Sequence, residues 1–455
     1  MTRHLRRSRV TKALTDSSAS ASFDEAEARL DAVDLSVVLG QDQARTPAGQ
    51  VAALTAVATA FKCFERVTLA CQDLGAPLLP AYPLGANLSE AAEALGARLV
   101  DAPRESSTHR IAIGTAPPWA GWQVGCWWNR WLAGLRVGGP EACGDSRLGL
   151  AGVYAGGLAV REVFASVLAG PSHRPLESTF SLWEPWAEYP ENPGPTCFTA
   201  PDAIWIVGLG HLGQAFLWNL LTLPYLGPRR AILQDDQDIS VENEPTSLLV
   251  IGGRIGCRKV RLAADWLEAA GWATHLIERR YQGDIRLGPD DPPVLLCGLD
   301  DVRPRRLLAQ AGFDYMLDAG IGHGPADFEG LQVRAVPRGA DTDRLWNLPG
   351  PERSRDRLLA SAAYRDLEAE SGACGAYMLA NASVAVPFVG AITGAVAIGQ
   401  LVRLASARSA GALVQLSLGA PGMVIDGGQT PPPAAFLGGE AIDLTSAYGK
   451  ARPAA

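Results

Sequence analysis

The chain has 455 residues, 47% of them hydrophobic, and a formal net charge of −8. That length predicts two or three domains, the apolar content suffices for packed cores, and the negative charge excludes a broad nucleic-acid-binding surface. Its eight cysteines include no CxxC pair, which excludes the common zinc-ribbon and dithiol motifs; with no signal peptide at its start, a reduced, cytoplasmic protein is expected.

Residues 1–30 read as a basic, flexible tail, with Arg3, Arg6, Arg7, Arg9 and Lys12 ahead of a Ser/Ala run. Residues 34–70 read as strand–helix–strand: LSVVLG (35–40), a helix opened by Pro47, then ERVTLAC (65–71). A capped helix over 87–97 and a buried strand, HRIAIGT (109–115), follow. This α/β unit, 31–175, has no glycine-rich strand–helix turn, so it is expected to keep a nucleotide-binding layout without its chemistry. Trp119, Trp122, Trp127, Trp128 and Trp131 alternate with small residues. They predict strands with one buried face, or a docking surface for a protein partner. An Ala/Gly-rich helix over 151–170 closes the unit, and the proline-rich stretch 176–200 reads as a linker.

The second unit, 201–435, opens on a buried strand that runs into Gly208-Leu209-Gly210-His211-Leu212-Gly213 and then a helical pattern. Three glycines at this spacing allow a tight turn and close approach of backbone amides to a phosphate, and the helix N-terminus adds unpaired N–H groups. AILQDD (231–236), ATHLIERRY (273–281), PVLLCGL (293–299) and DYMLDAGIG (314–322) are further strands, and RKVRLAADWLEAAG (258–271) is a helix. The alternation predicts an α/β, Rossmann-like, doubly wound parallel sheet. Residues 338–374 read as a crossover loop and 436–455 as a C-terminal tail. Residues 371–402 carry no charge and are long enough to span a bilayer. Their Ala/Gly/Ser content, Asn381, Gln400 and Pro387 assign them instead to a helix buried between two protein layers, with no membrane. Gly390 and Gly394 have the spacing that lets helices approach closely. The small-residue helices 154–169 and 389–406 each end their half, a weak internal repeat that predicts two halves packed through them.

Asp235 ends a strand 22 residues after Gly213, where a carboxylate accepts from ribose hydroxyls of ATP and NAD alike. Lys259 opens the next helix and offers a point charge to phosphates. Asp300 and Asp301 follow a buried strand, where Mg²⁺ would bridge them to phosphates. Such acids repel a bare pyrophosphate, which favours ATP with Mg²⁺ over NAD.

Together GLGHLG, LQDDQDISVENE, GCRKVRLAA, CGLDDVRPRR and VPFVGAITGAVAIGQLV, spanning 203–405 in order, resemble the ThiF-type adenylyltransferase superfamily. That superfamily includes ubiquitin-activating enzymes and the activators of sulfur carriers. The resemblance implies that Gly208, Gly210 and Gly213 line the ATP phosphates and Asp235 holds the ribose. Asn243 and Lys259 would contact the triphosphate, Asp300 would bind Mg²⁺, and Arg305 would lie near the same crevice. It implies an arginine at the position held by Thr246, for which Arg254 or Arg258 are the substitutes at hand. The first half resembles, more faintly, the inactive adenylation half of eukaryotic-type enzymes. In that comparison an arginine of the partner half reaches the nucleotide, and Arg3 to Arg9 would supply it. Cys374 stands near the place of the nucleophilic thiol in autophagy-type enzymes; Cys257 is too near the phosphates and Cys297 sits in a buried strand. The expected activity is adenylation of a ubiquitin-like protein's C-terminus, thioester formation on Cys374, and transfer to a conjugating enzyme. The alternatives are a sulfur-carrier or peptide adenylyltransferase without a thioester, and a catalytically dead scaffold that binds a ubiquitin-like protein. The two halves predict an intramolecular pseudo-dimer or a homodimer.

Overall fold

A computed structural model describes residues 7–137, 141–170, 172–322, 327–346, 358–359, 361–381, 384–420 and 424–448. The first half builds one sheet from β1 (Asp34–Leu39), β2 (Arg66–Cys71), β3 (Arg98–Val100), β4 (His109–Ile113), β5 (Trp122–Asn129), β6 (Leu132–Arg136) and β7 (Ser178–Ser181). Its spatial order is β3-β2-β1-β4-β5-β6-β7, parallel as far as β5 and antiparallel after it. A small two-stranded sheet pairs β8 (Cys197–Ala200) with β17 (Glu440–Asp443).

The second sheet takes β9 (Ala203–Val207), β10 (Arg230–Gln234), β11 (Ala273–Ile277), β12 (Val294–Cys297), β13 (Tyr315–Ile321), β14 (Gly330–Pro337), β15 (Val414–Ser417) and β16 (Val424–Asp426). Its order is β11-β10-β9-β12-β13-β14-β15-β16, parallel through β13 and antiparallel beyond. Both halves therefore place their strands third–second–first–fourth–fifth and finish antiparallel. This is the doubly wound α/β class expected, and the internal repeat lies in the strand order as well as in the two glycine-rich helices.

The helices are α1 (Ser8–Asp16), α2 (Phe23–Asp31), α3 (Pro47–Cys63), α4 (Leu88–Ala94), α5 (Gly149–Ala169), α6 (His211–Leu220), α7 (Lys259–Ala269), α8 (Val302–Ala309), α9 (Thr342–Leu345), α10 (Ala362–Asn381) and α11 (Pro387–Ala405). Four of them, α3, α5, α6 and α11, pack between the two sheets. Glycines set how close they come. A Cβ on Gly152 or Gly156 of α5 would stand 2.2 or 2.4 Å from the carbonyl oxygens of Ala48 or Ala52 on α3. On α11, a Cβ at Gly394 would meet the Ala215 carbonyl oxygen of α6 at 2.7 Å. The long apolar helices α5 and α11 are 94% and 100% buried over their most apolar windows, so their length and composition serve a core. Pro387 stands in the first turn of α11, where its missing N–H costs nothing.

Four expectations give way. The linker expected over 176–200 contains β7 and β8, and the C-terminal tail expected over 436–455 contains β17, which pairs with β8. The tail expected over 1–30 is folded from residue 8 to 31: Val10, Ala13 and Leu14 of α1 are fully buried, an apolar face that the neighbouring basic residues concealed. Lys12 is buried with them, in a cluster with Asp16 and Tyr364; its Nζ donates to the Tyr364 hydroxyl at 2.6 Å, and that hydroxyl donates to Asp16 at 3.0 Å. The crossover loop expected over 338–374 contains α10, which takes in residue 374 and packs on α1. Three charges and a proline in VRPRRLLA hid α8, where Arg305 and Leu308 face inward.

Candidate functional site

The chain leaves β9 toward β10 and β11 on one side and returns to β12 on the other. This strand-order switch opens a crevice at the carboxyl ends of β9 and β12, the place where doubly wound sheets take ligands. The glycine turn fills it. Gly208 has φ +84°, and a Cβ there would lie 2.9 Å from the Gly298 carbonyl carbon. A Cβ on Gly213 would stand 2.0 Å from the Gly208 carbonyl oxygen, and one on Gly298 would stand 2.6 Å from that same oxygen. Gly298 is thus part of the turn. Sequence reading missed it, although it follows a buried strand directly. Gly210 differs, since a Cβ there would meet no atom within 4 Å. The loop is packed tightly behind and open in front. The N-terminus of α6 has no side-chain cap, and uncapped N–H groups at a helix start suit an anion.

Asp235 follows β10 beside this turn. Its Oδ2 accepts from the Leu209 amide at 2.7 Å and its Oδ1 from the Gln237 amide at 2.8 Å, which fixes a half-buried carboxylate at the mouth. Lys259 opens α7 and is buried; its Nζ donates to Gln237 Oε1 at 2.6 Å. Asn243 ends a single 3-10 turn, Val241–Asn243, and its Oδ1 accepts from the Ser240 amide at 2.9 Å. On the far side Asp300 follows β12 and is exposed, while Asp301 caps α8 through the Arg303 amide.

The donor set fits a nucleotide triphosphate: amides at the turn, a lysine, and carboxylates on both rims. No three His, Cys, Asp or Glu side chains converge among the described residues. Mg²⁺ binds through one or two carboxylates and substrate phosphates, and Asp300 offers one exposed carboxylate.

Arg305 is buried and turned under the crevice floor. Its Nε donates to the Leu299 carbonyl at 2.8 Å, and it stands 3.5 Å from Asp318 of β13. It supports the loop ahead of Asp300 and does not face the opening.

Thr246 is buried as well. Its hydroxyl donates to the Glu242 carbonyl at 3.0 Å and its own carbonyl accepts from His211 Nδ1 at 2.6 Å. The proposed substitutes are engaged on the surface: Arg254 pairs with Asp265 at 3.5 Å, and Arg258 with Asp238 at 3.2 Å. The first half supplies cations here instead. Arg9 of α1 pairs with Glu242 at 2.9 Å, beside Asn243, and Lys62 of α3 donates to the carbonyls of Glu244 and Val250 at 2.6 and 2.9 Å. Arg3 and Arg6 lie outside the described residues.

His211 donates from Nδ1, so its Nε2 carries no proton, and this buried atom has no hydrogen-bond partner among the described residues. Burial pulls its pKa down to about 4, with Arg9 and Lys62 adding to the effect. His109 is lowered to about 4 by burial and by His173. An unfolded histidine takes up its proton near pH 6.5. Between that value and pH 4 the unfolded chain therefore binds more protons, and stability falls as pH drops. Urea unfolding midpoints are expected to decline across this window. His211→Asn should flatten the decline, since it keeps a donor for Thr246 and removes the titrating ring; an unchanged slope would contradict the assignment.

Burial raises the thiols of Cys63, Cys143 and Cys297 to about 12, and that of Cys126 further, so none of these is a nucleophile at neutral pH. Cys257 is half-buried two residues before Lys259. Cys374 lies on the helical backbone of α10, and its side chain is outside the described residues. The tryptophan segment forms β5 and β6, with Trp128 and Trp131 fully buried and Trp127 half-buried under the Arg136 guanidinium, 4.0 Å from its ring centre.

Residues 34–178 match the family profile of the BilD N-terminal domain, and residues 200–408 that of the BilD C-terminal domain. The bacterial E1-like protein BilD of Collimonas sp. (strain OK412) is 32% identical over 418 residues, covering 87% of each chain. Among solved structures, E. coli MccB matches at 11% identity and a TM-score of 0.33, over 52% of this chain and 66% of that one. MccB with AMPCPP and MccA matches at 10% identity and a TM-score of 0.35, over 52% and 67%.

Proposed function

The chain belongs to the BilD family, and on that premise we propose that it activates the C-terminal carboxylate of a ubiquitin-like protein by adenylation with ATP and Mg²⁺. The observation that carries this reading is the crevice at the strand-order switch, with amides and Lys259 for phosphates and Asp235 and Asp300 on opposite rims. ATP supplies the α-phosphorus that the carboxylate attacks, and the leaving group is pyrophosphate. The turn amides and α6 terminus bind phosphate oxygens, Lys259 adds charge where negative charge builds up, and Asp300 holds the metal. Asp235 orients the ribose, and Asn243 keeps its amide nitrogen for the phosphates. Arg9 takes the place of the arginine absent at Thr246, and by this reading the first half completes the site within one chain, as an intramolecular pseudo-dimer. In the second step Cys374 attacks the acyl-adenylate, releases AMP and forms a thioester, which passes to a conjugating enzyme.

ATP–pyrophosphate exchange with a ubiquitin-like partner tests the first step; the expected result is exchange that requires the partner's C-terminus. The Cys374→Ala variant tests the second. It should retain exchange and lose a thiol-cleavable adduct with the partner. An adduct that persists in the variant would remove Cys374 from the mechanism and leave adenylation without a thioester.

A further inference from the structure

Asp318 on β13 is fully buried, and neither of its carboxylate oxygens finds a hydrogen-bond partner among the described residues. Around it stand two cations, Arg305 Nε at 3.5 Å from α8 and Arg334 at 3.7 Å from β14, together with the Cys297 thiol and the Trp346 indole. Both arginines are themselves buried. A buried carboxylate is costly unless it does something that an apolar residue would not. Arg305 lies in the α8 segment that follows Asp300, and its guanidinium grips the Leu299 carbonyl, one residue before that exposed acid. Without a counter-ion beneath the floor, Arg305 would be free to turn toward Asp300, which follows the Leu299 whose carbonyl it already holds.

We infer that Asp318 is a positioning residue that holds Arg305 below the floor, so that the Asp300 carboxylate stays free for a divalent cation. The inference rests on the reading of Asp300 as a metal-holding side chain. An arginine that swung up would neutralise Asp300 and compete with Mg²⁺ without touching the turn that takes the phosphates.

The test is isothermal titration of the full chain with ATP at a series of free Mg²⁺ concentrations. Asp318→Asn should raise the half-saturating Mg²⁺ about tenfold while leaving the affinity for metal-free ATP within about twofold. The double variant D318N/R305M removes the competing guanidinium and should bring the Mg²⁺ requirement back to within about threefold of the parent. If D318N alone does not fold, D318N/R334Q, which keeps the net charge of the buried trio, should show the same tenfold rise. An unmoved Mg²⁺ requirement, or a double variant no better than D318N, would overturn the proposal. Asp300→Asn separates the two levels. If it leaves the Mg²⁺ requirement untouched, the metal reading of Asp300 fails; if it raises the requirement and D318N does not, only the role of Asp318 fails.

Discussion

Gly213→Ala is expected to destabilise the protein by about 3 kcal/mol, at the upper end of ordinary overpacking, and to abolish ATP binding. Gly210→Ala is expected to leave the fold intact and still weaken ATP binding at least tenfold. The contrast comes from geometry. At Gly213 the new methyl would sit 2.0 Å from a backbone oxygen that cannot retreat, because Gly298 packs against the same atom. At Gly210 the methyl would meet open space. In the proposed reading a phosphate approaches through that open space, so the methyl would obstruct the ligand and nothing else. Urea midpoints and ATP titrations of both variants decide the matter. If Gly210→Ala binds ATP as the parent does, the turn is a strand–helix connection with no ligand in front of it.

Lys259→Ala is expected to cost roughly 10- to 100-fold in ATP affinity, the range of one charge-assisted hydrogen bond of about 1.5–3 kcal/mol. Stability should change little or rise. The ammonium is buried with one amide oxygen, Gln237 Oε1, within hydrogen-bond reach and no carboxylate paired with it among the described residues, and a buried charge so placed is a burden on the unliganded fold. A group kept at such a cost is explained by an anion that it meets in the bound state. Lys259→Arg should not restore binding, since the planar fork does not fit a space shaped for a compact ammonium. An unchanged ATP affinity in Lys259→Ala would place the triphosphate elsewhere.

The glycine turn, Asp235, Lys259 and Asp300 were legible in the sequence because each follows or precedes a strand or helix with a clear apolar pattern, and the parallel sheet brings strand ends to one edge. Gly390 and Gly394 were legible for the same reason, as small residues in an uncharged helix that had to be buried. What sequence reading missed depends on contacts between distant segments. Arg9 reaches Glu242 across 233 positions, and Lys12 finds its phenol at Tyr364, 352 positions away; neither partner is visible from a basic N-terminal stretch. Arg305 looks like a ligand-facing cation until Asp318 on the neighbouring strand turns it inward. Thr246 looks like a lost arginine, whereas its buried carbonyl holds the imidazole of His211 in the glycine turn.

Titration of the full-length chain with ATP in the presence of Mg²⁺ tests the central claim most directly. Of the two halves only the second carries the glycine turn, so the account predicts a single ATP per chain, bound more weakly when either Asp235 or Asp300 is replaced by alanine. Absence of binding heat in the parent protein, or binding that neither replacement alters, would contradict it.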